Sequence, residues 1–216
     1  MQKAVIFDLD GTLLDTLHDL ADAVNVSLAF VGLPKRSVEE VRSFVGNGAK
    51  ILLERSVGAE NMHLHEKALE KFQEYYATHC EIKTQLYAGI KELLEQLKAR
   101  AIKTAIVSNK PDYAVKKLAK TYFADFIEIA IGENESAGIR KKPAPDSLLA
   151  VMETLKTTAA ETVYVGDSEV DIQTAKNAGV ECISVSWGFK DKPFLKAHGA
   201  KIIVDTPREI LSYIGE

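Results

Sequence analysis

The sequence contains 216 residues, of which 46% are hydrophobic and 27% are charged, as is usual for a soluble globular protein large enough for one core and a small second domain. The formal net charge of −4, from 27 basic and 31 acidic residues, argues against a nucleic-acid partner, which would favour a basic surface. No apolar run approaches the length that crosses a membrane, so the sequence does not predict an integral membrane protein.

The two cysteines, Cys80 and Cys182, lie far apart and do not suggest a disulfide framework. This usage fits the reducing cytoplasm. Residues 1–3 lead directly into the first predicted strand, so we expect no signal peptide.

The first predicted element is a strand over residues 4–7, an unbroken apolar run typical of a strand that is buried on both faces of a parallel sheet. Asp8 and Asp10 follow at once, with Gly11 behind them. Ligands of open α/β sheets bind beyond the carboxyl ends of the strands. Two carboxylates at the mouth of an apolar core are costly unless a cation shares the site. The pattern therefore indicates a divalent metal, although a helix N-cap or turn would equally explain one such motif alone.

The next part of the chain, residues 15–82, is predicted to be helical without a strand. Thr16–Asp19 and Ser37–Glu40 resemble capping boxes that begin the first two helices. Tight-turn residues at 46–48 separate the second helix from the third, which reaches about residue 57. A fourth helix contains Tyr75 and Tyr76, which we expect to lie in the core of this helical block.

Beyond residue 83, predicted helices and strands alternate. This alternation predicts an α/β fold, a Rossmann-like three-layer core around a parallel sheet with right-handed crossovers. Because the helical block interrupts the alternation after its first strand, we expect a four-helix cap domain (15–82) inserted in a discontinuous core domain (1–14 and 83–216). The predicted helices lie at 89–100, 111–120, 146–156, 171–178 and 207–214, and the strands at 102–107, 126–131, 162–165, 181–185 and 202–204.

Three later segments place polar residues at or after strand ends. Ser108-Asn109-Lys110-Pro111 offers a hydroxyl and backbone N–H groups at a helix start, which suit an anion. The loop 140–145 carries cations before a helix, and the segment 166–171 ends a strand in further acids. Separately these would be a helix N-cap, a solvated basic turn and first-turn helix acids. Their occurrence together, in this order along one predicted sheet, favours a common site.

These segments resemble the four motifs of the haloacid dehalogenase superfamily of phosphotransferases. The resemblance covers essentially the whole chain, and four motifs in register are specific. The matching residues are Asp8-Leu9-Asp10-Gly11-Thr12, Ser108, Lys142 with Pro143, and Gly166-Asp167-Ser168 through Asp171.

The resemblance implies that Asp8 is a nucleophile that forms an aspartyl-phosphate. It implies that Asp10 protonates the leaving oxygen and then activates water. It also implies a Mg²⁺ ion held by the Asp8 carboxylate, the Asp10 backbone carbonyl and Asp167, an oxygen-rich set of ligands.

The remaining motif residues are expected to hold the phosphoryl group. Ser108 and the backbone at Asn109 would bind phosphoryl oxygens. Lys142 would neutralise the nucleophile and the phosphate together, and Asp171 would steady Lys142 or waters from outside the metal ligands.

Residues 15–82 resemble the family's helical cap, whose loop between the second and third helices reaches the active site. That loop, Gly46-Asn47-Gly48, and the later Glu54-Arg55 resemble phosphoglycolate phosphatases, although a helix-joining turn would also explain the glycines. The phosphosugar-mutase branch carries a basic residue roughly where Ala49 falls. The carboxylate of phosphoglycolate needs a cation, for which Lys50, Arg55 and Lys110 are candidates.

The sequence thus predicts a Mg²⁺-dependent phosphatase acting on a small phosphorylated metabolite, as a monomer or a homodimer. Other phosphatases of the family, such as a pyrophosphatase or nucleotidase, are alternatives. A phosphosugar mutase and a catalytically weak binding protein are the alternatives from other classes.

Overall fold

The structure is a computed structural model that describes residues 2–134 and 138–215. In this part of the chain the strands are β1 (Ala4–Phe7), β2 (Leu14–Asp15), β3 (Gln85–Leu86), β4 (Lys103–Pro111), β5 (Ile129–Glu133), β6 (Thr162–Gly166), β7 (Glu181–Val185) and β8 (Ile202–Val204). The α-helices are α1 (Leu17–Phe30), α2 (Val38–Phe44), α3 (Gly48–Val57), α4 (His65–His79), α5 (Ile90–Ala99), α6 (Asp112–Phe123), α7 (Asp146–Leu155), α8 (Glu169–Ala178), α9 (Lys192–Ala197) and α10 (Pro207–Ile214). No helix in the described residues is both long enough and apolar enough to span a membrane.

Six strands form one parallel sheet in the order β5-β4-β1-β6-β7-β8. Side chains of β1 alternate between its two faces. Val5 and Phe7 pack into the cluster that includes α5, α6 and α10, whereas Ala4 and Ile6 pack with α7 and α8. The predicted α/β fold with a parallel sheet between helical layers is confirmed.

Helices α1 to α4 lie between β2 and β3, and the term cap denotes this helical segment below. Strands β2 and β3 pair antiparallel, with Leu14 opposite Leu86 and Asp15 opposite Gln85. The two connections between the cap and the rest of the chain therefore run side by side. This short pairing was not predicted from the sequence, and the division into two domains stays a prediction.

The first of the two predicted capping boxes is wrong. Thr16 precedes α1 but its side chain does not cap the helix. It donates instead to Asp10 Oδ1 at 2.6 Å. The buried Asp19 carboxylate accepts from the backbone N–H groups of Lys83 and Thr84 and from the Thr84 hydroxyl, at 2.8–3.0 Å. Partners distant in sequence thus replace the local pairing, whereas the predicted box at Ser37 is confirmed.

Asp19→Ala is expected to lower the free energy of unfolding by about 3 kcal/mol, because several buried donors would lose their acceptor. Urea unfolding measures this loss. The control is Asp22→Ala, since Asp22 pairs with Lys83 Nζ at an exposed surface and should contribute less than about 1 kcal/mol. Equal losses in the two variants would contradict the role given to Asp19.

Several element boundaries differ from prediction. Strand β4 runs to Pro111 rather than to residue 107, and α6 runs to Phe123 rather than to residue 120. The backbone N–H groups of residues 126 and 127 donate to the Phe123 carbonyl and form a turn. Strand β5 therefore begins at Ile129 rather than at residue 126. Helix α8 begins at Glu169 rather than at residue 171. Helix α9 was not predicted, although Asp191 as N-cap and Pro193 in the first turn are start signals that could have found it.

Candidate active site

The predicted site residues meet at the carboxyl edge of the sheet. Strands β4, β1 and β6 are neighbours, so the segments that follow them share one edge. Lys142 Nζ lies 3.0 Å from Asp8 Oδ2 and 2.7 Å from Asp171 Oδ1. Asp8, Asp167 and Asp171 each offer a carboxylate oxygen, and these three atoms lie within 4.8 Å of one another.

Asp8 and Asp167 are both buried carboxylates. Burial raises the pKa of Asp8 to about 7, although the positive charge of Lys142 acts to lower this pKa. Burial, together with Asp171 and Asp8, raises the pKa of Asp167 well above its ordinary value. One backbone N–H donates to each of them, Leu9 to Asp8 Oδ1 at 2.7 Å and Phe189 to Asp167 Oδ2 at 2.6 Å. A cation between these groups would stabilise their ionised forms.

Lys142 is buried and held at both its backbone and its side chain. Asn109 accepts from the Lys142 N–H at 2.8 Å and donates to its carbonyl at 3.0 Å. The ammonium donates to Tyr164 Oη at 2.9 Å as well as to Asp171. Burial alone would lower the pKa of Lys142, but the carboxylates of Asp171 and Asp8 outweigh it and raise the pKa. Lys142 therefore presents a permanent positive charge beside Asp8.

Asp171 uses both carboxylate oxygens within the protein. Oδ1 accepts from Lys142 and from Tyr164, and Oδ2 accepts from the Ser168 N–H and hydroxyl. The bond from the Ser168 N–H belongs to the capping box at the start of α8. Asp171 is thus arranged to position Lys142 rather than to bind a ligand directly.

The donor set fits Mg²⁺, which prefers carboxylate and carbonyl oxygens. Asp8 and Asp167 supply two carboxylates at one point. Asp167 is closely packed by two glycines. A Cβ atom added to Gly11 would lie 2.3 Å from Asp167 Oδ2, and one added to Gly188 would lie 2.5 Å from the same oxygen. Only glycine at these positions leaves room for the Asp167 carboxylate.

Asp10 lies beside this group and is anchored through one oxygen. Oδ1 accepts from the Thr16 hydroxyl at 2.6 Å and from Lys110 Nζ at 2.7 Å. Oδ2 has no hydrogen-bond partner within residues 2–134 and 138–215. One oxygen of Asp10 is therefore available for proton transfer.

A cavity between the cap and the sheet edge contains Asp8, Asp10, Ser108 and Asp167 in its wall. The cap contributes mainly apolar side chains, and Gly46 and Gly48 line the cavity as well. Asn47, Lys50 and Arg55 do not line it. The other lining residues are Leu20, Val45, Ala49, Leu52, Phe72, Tyr76, Asn109, Lys110, Pro111, Ser168, Phe189 and Lys190.

The cap contacts the sheet edge on two sides of this cavity. On one side, an added Cβ at Gly48 would lie 2.7 Å from Glu133 Oε2, and Asn109 Nδ2 donates to the Gly46 carbonyl at 3.2 Å. On the other, Arg42 donates to the carbonyls of residues 188 and 189 at 2.7 and 2.9 Å. Arg42, Tyr76 and Lys190 were not predicted as site residues, because no local motif marks a contact between distant segments.

The chain matches the family model described as haloacid dehalogenase-like hydrolase over residues 5–185. It is 35% identical to the phosphoglycolate phosphatase of Pseudomonas putida over 218 residues, covering 98% of this chain and 79% of that protein. The corresponding protein of Vibrio parahaemolyticus is 34% identical over 221 residues, covering 98% of this chain and 96% of that one.

Two crystal structures are similar over nearly the whole chain. One, from Lactobacillus delbrueckii subsp. bulgaricus and provisionally assigned as a phosphoglycolate phosphatase, has a TM-score of 0.92 at 38% identity, with 100% of both chains covered. The other, from Haemophilus somnus and described as a predicted phosphoglycolate phosphatase, has a TM-score of 0.90 at 28% identity, covering 99% of this chain and 98% of that one.

Proposed function

Because the chain belongs to the haloacid dehalogenase-like hydrolase family and is a phosphoric monoester hydrolase, we propose that it hydrolyses 2-phosphoglycolate through an aspartyl-phosphate on Asp8. The observation that carries this proposal is that Asp8 and Asp10 line a mainly apolar cavity between the cap and the sheet edge, with the Lys142 ammonium 3.0 Å from Asp8. A nucleophile, a fixed positive charge and an acid–base group are the parts that phosphoryl transfer through a covalent intermediate requires.

In the first step an Asp8 carboxylate oxygen bonds to phosphorus while the bond from phosphorus to the leaving oxygen breaks. Asp10, protonated on Oδ2, gives its proton to that oxygen, and the alcohol leaves as glycolate. In the second step the Asp10 carboxylate takes a proton from water, whose oxygen bonds to phosphorus. The bond between Asp8 and phosphorus breaks, phosphate leaves and the Asp8 carboxylate returns.

The surrounding residues orient and neutralise the phosphoryl group. Ser108 and the backbone N–H of Asn109 would hold phosphoryl oxygens at the end of β4. Lys142 would compensate negative charge on Asp8 and on the phosphoryl group, and Asp171 would keep it in place.

Mg²⁺ is the cofactor that we propose for this site. The Asp8 and Asp167 carboxylates and the Asp10 backbone carbonyl would hold it. When bound, Mg²⁺ supplies positive charge to the phosphoryl oxygens and orients the group for in-line attack.

The substrate proposal is supported by the relatives named phosphoglycolate phosphatase and by the cavity itself. Its cap wall is apolar and includes Ala49, which falls roughly where the resemblance places a basic residue in the mutase branch. A small leaving group is therefore favoured over a phosphosugar. The cytoplasmic location and the choice between monomer and homodimer stay predictions.

Phosphate release from a panel of phosphoesters, with Mg²⁺ and with a chelator, tests the proposed function. We expect chelator-sensitive release, with the highest kcat/KM for 2-phosphoglycolate. A higher value for pyrophosphate or a nucleotide would retain the chemistry and reject the substrate. A sugar product that retains phosphate would support a mutase. The absence of turnover with every phosphoester of the panel would support a binding protein.

A further inference from the structure

We infer that the Tyr76 hydroxyl and the Lys110 ammonium together form the subsite for the carboxylate of the leaving group. This inference rests on the proposed function and assigns a part of the site on which specificity depends. Lys110 lies near the end of β4, whereas Tyr76 lies on α4 in the cap. The two side chains meet across the cavity, with Lys110 Nζ 2.5 Å from Tyr76 Oη.

Both members of the pair are buried polar groups in the cavity wall. The Lys110 side chain is 1% exposed. A buried ammonium is costly unless its N–H groups find acceptors. Asp10 Oδ1 and Tyr76 Oη accept two of them. Since an ammonium has three donors, one N–H is left for a ligand.

Tyr76 contributes a second donor. An ammonium can only donate, so the Tyr76 oxygen accepts in this contact and its own proton must point elsewhere. In the described ranges 2–134 and 138–215 this hydroxyl has no second partner. Burial raises the pKa of Tyr76 well above its ordinary value, so the proton is retained.

One N–H and one O–H are therefore available at the same point, between the acid Asp10 and the apolar wall. A carboxylate has two oxygens and accepts such paired donors, with charge-assisted bonds to the ammonium. The neighbouring wall residues Leu52 and Phe72 offer no polar group to a neutral polar leaving group. The arrangement thus favours a short leaving group that ends in a carboxylate.

The other cations are less suited to this role. Lys142 is already engaged by Asp8 and Asp171. Lys190 lines the cavity but is only half-buried, and it donates to the Ser43 carbonyl at 3.4 Å. Lys50 and Arg55, the other sequence candidates, lie outside the cavity wall. Lys110 is the buried lysine at the end of the cavity where Asp10 would release the leaving group.

Tyr76→Phe tests the inference, because it removes the hydroxyl and keeps the ring that stacks on Phe72 at 5.1 Å. We expect kcat/KM for 2-phosphoglycolate to fall about 10- to 100-fold, mainly through KM. For ethyl phosphate, which lacks the carboxylate, the loss in kcat/KM should be at least about tenfold smaller than the loss for 2-phosphoglycolate. Tyr75→Phe is the matched control, since Tyr75 stacks on His79 and does not line the cavity; it should leave both substrates unaffected.

Equal losses for the two substrates in Tyr76→Phe would overturn the inference, because they would mean that the hydroxyl only positions Lys110 and Asp10. Unchanged values for both would overturn it as well. Should the wild-type protein hydrolyse neither compound, the proposed function fails and calorimetric binding decides the inference separately. Binding of 2-phosphoglycolate that is at least about tenfold weaker in Tyr76→Phe than in wild type supports it. Equal binding, or no binding to wild type, overturns it.

Discussion

Asp8→Asn is expected to abolish the hydrolysis of every phosphoester that the wild-type protein accepts, with kcat lower by at least about 10³-fold. The carboxamide cannot displace the leaving group from phosphorus, so the covalent step is lost. It also removes the negative charge that faces Lys142 Nζ at 3.0 Å. Steady-state phosphate release with saturating substrate measures the effect.

The same substitution should leave the fold intact. Burial raises the pKa of the Asp8 carboxyl to about 7, above its unfolded value of 3.8, so ionised Asp8 opposes folding at neutral pH. The neutral amide removes this cost and its oxygen can still accept from the Leu9 N–H. Lys142 retains Asp171 as its partner. In chelator, without Mg²⁺, we therefore expect a melting temperature equal to that of the wild type or a few degrees above it.

Asp146→Asn is the control for this prediction. Asp146 begins α7 and pairs with the exposed Arg140 at 3.0 Å, away from the cavity wall. It should retain wild-type activity. A folded Asp8→Asn protein with near-normal kcat would show that Asp8 is not the nucleophile.

The parts of the fold that sequence could predict are those that depend on neighbours along the chain. The apolar run 4–7 is a buried central strand because every side chain in it is apolar. Ser37 caps α2 because its partner, Glu40, is three residues away. The acids after β1 and β6 converge because parallel strands end at one edge.

The parts that sequence could not predict depend on contacts between distant segments. Asp19 has the spacing of a capping-box acid, but Lys83 and Thr84 are better placed as its donors. Tyr76 is predicted to be a core aromatic and is indeed buried, but its hydroxyl also accepts a hydrogen bond from Lys110 Nζ. Among Lys50, Arg55 and Lys110, spacing gives no preference, and only the fold separates the buried cation from the exposed ones.

Asp10→Asn is expected to affect alkyl and aryl phosphates differently. The leaving oxygen of 2-phosphoglycolate is an alkoxide, which needs a proton as its bond to phosphorus breaks. Asparagine at position 10 cannot supply that proton, so kcat should fall about 10²- to 10⁴-fold. The leaving group of p-nitrophenyl phosphate, p-nitrophenolate, is stable without a proton, so the first step should still proceed with this substrate.

The second step should then become the slow one for the aryl substrate. Asparagine cannot take a proton from water, so the phosphoryl group remains on Asp8 and p-nitrophenol appears as a burst of one equivalent. Stopped-flow absorbance and the mass of the trapped protein measure the burst and the added phosphoryl group. Asp15→Asn is the matched control, because Asp15 accepts from the Leu17 N–H at 3.2 Å and lies outside the cavity wall. Equal losses for both substrates without a burst would mean that Asp10 only anchors Thr16 and Lys110 and does not transfer the proton.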